Sequence, residues 1–171
     1  KKKLSLIKWP LYVLFALLLF CIQYAPVRLG IFEGAIHLLP FVVALSSFEN
    51  VIPSVLTGAV SGLLLDYSSG HLFGFRALVL GIIALAVCLA IKLYVRPAFV
   101  SVMVCIAISA AIFVVSEFFF FYVIKGYESA FSIFTSIYIW SFFKTIIFGI
   151  PISYVTMQIY RLKPQKSSFD I

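Results

Sequence analysis

Charged residues divide this chain into long apolar stretches, and those stretches predict its elements. No Asp, Glu, Lys or Arg occurs in Trp9–Val27, Gly34–Phe48, Asn50–Leu65, Ala77–Ile91 or Pro97–Ser116, and only Lys144 interrupts Ser129–Tyr160. About 20 helical residues cover the hydrocarbon of a bilayer. The runs therefore predict helices near 9–28, 34–49, 51–66, 74–95, 98–124 and 133–160. The second and third are short, so they either span or re-enter, with their shared turn Ser46–Asn50 dipping into the membrane. Both readings return the chain to the same side. Strands of a membrane barrel would alternate apolar and polar residues over about 10 positions. These runs are apolar throughout, which selects helices.

Composition makes the same case. Hydrophobic residues are 64% of the chain, charged residues 11%, and the mean hydropathy is +1.17. A soluble domain keeps about a quarter of its residues charged. The expected fold is an all-α integral membrane protein, a single polytopic domain over residues 1–171 with about six transmembrane helices.

Charge then orients it. Six crossings put Lys1, Lys2, Lys3, Lys8, Lys92, Arg96, Arg161, Lys163 and Lys166 on the side of both termini. Only Arg28, Arg76 and Lys125 fall on the other side. The positive-inside bias places both termini in the cytoplasm. The net charge of +7 is thus a topology signal, and no basic face of a folded domain points to nucleic acid. The first run is too long for a signal-peptide core, and no small-x-small pattern precedes Arg28, so a retained helix is expected. Cys21, Cys88 and Cys105 lie inside apolar runs without C-x-x-C spacing and read as small hydrophobes. Neither a metal site nor a cofactor is expected.

Polar residues inside such runs need a reason. Ser54, Gly58, Gly62 and Asp66 recur every four residues and share one helical face. The first three form a small-xxx-small stripe that admits a close neighbouring backbone. Asp66 is expected either to rest in the headgroup region or to lock the following turn, accepting hydrogen bonds from Ser68, Ser69 or loop amides. Gly70 and Gly74 bracket a tight reversal, with His71 as an exposed loop residue and Arg76 placed to pair with Asp66. The last helix repeats the device at Ser141, Thr145, Gly149 and Ser153, and Pro151 should kink it. Glu117 and Lys144 are expected either to form an intramembrane ion pair or to leave Lys144 snorkelling to an interface. Pro40 should kink the second helix, and His37 should hydrogen-bond a neighbouring helix. The aromatic run Phe118–Tyr122 reads as an outer interfacial belt or as a face for a partner helix.

The core motif G-L-L-L-D-x-x-S-G-x-x-x-G at Gly62–Gly74 follows a proline-containing helix (Leu38-Leu-Pro40) and a short hydrophobic hairpin. With the size, helix number and termini, this resembles the rod shape-determining MreD family. The resemblance implies a bacterial inner-membrane component of the cell-elongation machinery. Such a protein associates with the single-pass MreC and links MreB filaments to the peptidoglycan polymerase RodA and its transpeptidase. It performs no chemistry of its own. The family is also similar in fold to substrate-binding subunits of energy-coupling-factor transporters, which makes a vitamin-binding subunit the alternative function. Those subunits dock through an Ala-x-x-x-Ala patch on the first helix; here Ala16 is followed by Phe20. An intramembrane serine enzyme is a further rival. Ala59-Val-Ser61-Gly62 is superficially similar to the rhomboid serine motif, but Ala59 replaces its glycine, and only His37 and His71 could serve as base.

Overall fold

The computed structural model describes residues 2–24, 36–69, 74–93, 98–124 and 134–161, with side chains of the first segment described from Trp9 to Gln23. Every regular element among them is a helix. They are α1 (Lys2–Tyr24), α2 (Leu38–Phe48), α3 (Val51–Ser69), α4 (Phe75–Leu93), α5 (Phe99–Phe118) and α6 (Ile139–Arg161). A π-helical turn, Phe119–Val123, extends α5, and another, Phe134–Tyr138, leads into α6.

Among the described residues, four helices are long and apolar enough to cross a membrane: α3, α4, α5 with its π turn, and α6 with its own. Their outward faces are greasy. Ile52, Leu56 and Val60 of α3, Ile82 and Leu89 of α4, and Val104, Ile108 and Ile112 of α5 are all exposed. Polar side chains turn inward instead, including Ser54, Ser61, Asp66, Ser109, Glu117, Thr145 and Thr156. A protein facing water would not present so continuous an apolar surface. Apolar outside and polar inside is the arrangement that lipid favours, and a helix meets its own backbone hydrogen-bonding needs there.

The short helix α2 is the axis of the bundle. Every residue from Leu38 to Ser47 is buried, and α2 packs against α3, α4, α5 and α6. Being apolar all round, it has to be enclosed on every side. Its 11 residues reach only about 16 Å, half of a ~30 Å hydrocarbon core. Pro40 removes no helical hydrogen bond. It is the third residue of the helix, in the first turn, where backbone N–H groups have no intrahelical acceptor to lose. Pro151, by contrast, lies in the interior of α6.

Between α2 and α3 the chain reverses over Glu49 and Asn50. The Asn50 carbonyl accepts from the Ser54 amide at 3.1 Å and the Ser54 hydroxyl at 2.7 Å, which seals the start of α3. At this end Lys92 of α4 donates to the Asn50 side chain at 3.3 Å.

Candidate functional site

At the opposite end, the site is built from one pair of helices outward. α3 and α4 share the most extensive interface of the bundle. Gly58 and Gly62 make it possible. A Cβ on Gly58 would lie 2.8 Å from the Leu80 carbonyl oxygen and 2.9 Å from the Ala84 methyl. One on Gly62 would collide with the Ala77 backbone and the Arg76 carbonyl. Ser54, on the same stripe, is fully buried and returns its hydroxyl to its own helix. Lipid offers no hydrophobic drive for helix pairing, so close backbone contact is what holds such a pair.

One turn beyond Gly62, Asp66 is 1% exposed and reaches across to the start of α4. Its carboxylate accepts from the amides of Gly74 at 2.9 Å, Arg76 at 3.3 Å and Ala77 at 3.3 Å. The first amides of a helix lack intrahelical acceptors, and a carboxylate there meets them and the positive end of the helix dipole. Asp66 is therefore an N-cap supplied to α4 by another helix. Ser68 takes no part in that cap. Its hydroxyl donates to the Leu64 and Leu65 carbonyls of its own helix. Gly74 has φ +99°, a left-handed conformation that glycine adopts without strain, so the chain can turn directly into α4. The side chain of Ser69, together with Gly70 and His71, lies outside the described residues.

Arg76 meets Asp66 through its backbone, while its guanidinium goes elsewhere. Nε donates to the Glu117 carboxylate of α5 at 2.6 Å, and Nη2 pairs with the same oxygen. Nη1 donates to the Leu65 carbonyl at 3.2 Å, covering the end of α3. The described partner of Glu117 is thus Arg76, where the sequence pointed to Lys144. The reason is depth: Arg76 and Glu117 occupy the same end of adjacent helices, and the charged fork of arginine suits a carboxylate. Lys144 is part-buried on α6, beside buried Ser141 and Thr145.

Asp66 lies sixteen residues beyond Asn50 and Arg76 sixteen before Lys92. At helical rise that is about 24 Å, close to the thickness of the hydrocarbon. These charges mark one boundary of the bundle and Asn50 with Lys92 the other. None needs to sit at the midplane, where a charge costs most.

Above this layer the aromatic run is divided among neighbours. Phe75 stacks on Phe120 with centroids 4.6 Å apart and meets Phe121 edge-on at 5.4 Å. Phe118 lies 4.8 Å from Phe134 and 5.8 Å from Tyr138, both of the second π turn. The run serves interhelical packing on both sides, and Phe119 is exposed. Lys125 lies outside the described residues.

The stripe of α6 is used within the chain as well. Ser141, Thr145, Gly149 and Ser153 are buried. A Cβ on Gly149 would come 3.2 Å from an Ile106 methyl and 3.5 Å from Pro40. The Thr145 hydroxyl donates to the Ser141 carbonyl at 2.7 Å and accepts from the Ile36 amide at 3.1 Å. That second bond fixes the approach to α2, and the four-residue repeat carried no signal for it. His37 is buried with its ring 5.0 Å from that of Phe148. Ser61 is buried on α3.

Among the described residues no three His, Cys, Asp or Glu side chains converge as a metal site. Compared with protein-family models, curated proteins and solved structures, the chain has no match.

Proposed function

We propose that this protein is a non-enzymatic scaffold of the bacterial inner membrane, with both termini cytoplasmic, acting in the cell-elongation machinery. In that role it holds the transmembrane helix of an MreC-like single-pass protein and helps to connect MreB filaments with RodA and its transpeptidase. The observation that carries the reading is the use made of the Gly62–Gly74 motif. Gly62 seats the α4 backbone, Asp66 caps α4 and Gly74 turns into it. The described polar and glycine positions of the motif thus do architectural work, as a scaffold requires.

The small-residue stripes are spent on the chain's own helices, so a partner has to use the outward faces. On α3 and α6 these are Leu56, Val60 and Leu63, and Trp140, Phe143 and Ile147. Between helices in lipid, shape-matched van der Waals contact is the available attraction. The test is gentle purification from native membranes, followed by identification of what co-purifies. Recovery of an MreC-like protein with RodA supports the scaffold. Recovery of an ATPase-coupled transport module, with binding of a labelled vitamin, supports the transporter subunit in its place.

A further inference from the structure

Two helical hairpins, α3–α4 and α5–α6, pack on the central α2, and each is joined firmly to its own surroundings. Glycine contacts hold α3 to α4, while Thr145 and Gly149 seat α6 against the approach to α2 and against α5. Directly between the hairpins, α4 and α5 touch only sparsely. Their described polar bond is the Arg76–Glu117 pair, and the stack of Phe75 on Phe120 and Phe121 lies beside it. The two charged side chains are 15% and 9% exposed, at the same end of the bundle as Asp66.

We propose that this pair is a releasable clasp, and that the α4/α5 seam is where the bundle opens sideways to the bilayer. The physical reason is a contrast of restraints. Backbone contacts at glycines cannot be replaced by lipid, whereas an ion pair at the membrane boundary can exchange its partner for water. Opening would hinge about α2, as packed elements pivot in domain closure. The proposal goes beyond the scaffold reading and does not depend on it.

Spin labels on exposed Leu78 of α4 and Phe119 of α5 report the outer seam; labels on exposed Leu89 and Val100 report its inner end. The native cysteines are replaced by alanine, and distances are measured by pulsed dipolar spectroscopy in lipid nanodiscs. The clasp predicts a longer outer-pair population in Arg76→Gln and in the milder Glu117→Gln, with the inner pair unchanged. The exchanged pair, Arg76→Glu with Glu117→Arg, restores the parent distribution. An unchanged outer distance in both single variants overturns the proposal. So does equal broadening at both ends, which is general loosening, or failure of the exchanged pair to restore the distance.

Discussion

The α3 and α6 stripes read alike in sequence and pack differently. Both place small residues every four positions, yet on α3 two glycines bring backbone against backbone, with Gly62 pressed on Ala77. On α6 the one glycine meets side-chain methyls of Ile106 and a ring carbon of Pro40, and hydroxyls supply the rest of the face. A repeat of small residues therefore says that something comes close. Whether the neighbour can yield decides how much the repeat is worth. Methyl groups can shift by a few tenths of an ångström; a helix backbone moves only as a unit.

That contrast can be broken most severely at Gly62. Gly62→Ala should push α4 away from α3 and destabilise the fold by about 3 kcal/mol, the upper end of overpacking costs. Thermal unfolding and monodisperse yield in detergent would show it; parent-like values would remove the tight contact from the account. Next is Asp66→Ala, which strands the amides of Gly74, Arg76 and Ala77. A loss of about 2 kcal/mol is expected. Faster proteolysis between Ser69 and Phe75 should accompany it, and unchanged cleavage would argue against the cap.

On the α6 side the effects should be smaller. Thr145→Val keeps the shape but removes the acceptor for the Ile36 amide, costing about 1 kcal/mol in unfolding experiments. The smallest change tests the reverse sign. Gly81 of α4 has nothing within 4 Å of where a Cβ would sit. Gly81→Ala should be neutral or raise stability, by at most about 1 kcal/mol, since glycine weakens a helix interior. A clear loss there would mean that free space, as well as contact, governs these glycines.

Much of the fold was legible because lipid imposes a simple rule on length and polarity. The expected helices over 51–66 and 74–95 correspond to Val51–Ser69 and Phe75–Leu93. Enclosure was harder to read. An 11-residue helix buried all round and one lying shallow in the bilayer have the same apolar sequence, so α2 as the axis was not visible. The Arg76–Glu117 pair was legible in principle. Counted from the turn near Tyr127–Glu128, Glu117 lies about eleven residues before and Lys144 about sixteen after, which brings those two long side chains within reach of each other. Counted from the inner connection at Arg96, Arg76 lies twenty residues before and Glu117 twenty-one after, level with each other. The cap on α4 was half legible. The spacing from Asp66 to Gly74 placed a carboxylate near a turn, but only three dimensions chose the amides of α4 over Ser68. The π turns left no pattern that apolar periodicity could register.

The central claim is that the chain's own helices consume the small-residue faces and leave the outward apolar faces to hold a foreign helix. A photoreactive amino acid placed in turn at Leu56, Val60, Ile82 and Ile147, all exposed, tests this in native membranes. The account predicts covalent adducts with one single-pass membrane protein, concentrated on one side of the bundle. Adducts with lipid alone at every outward position would contradict it.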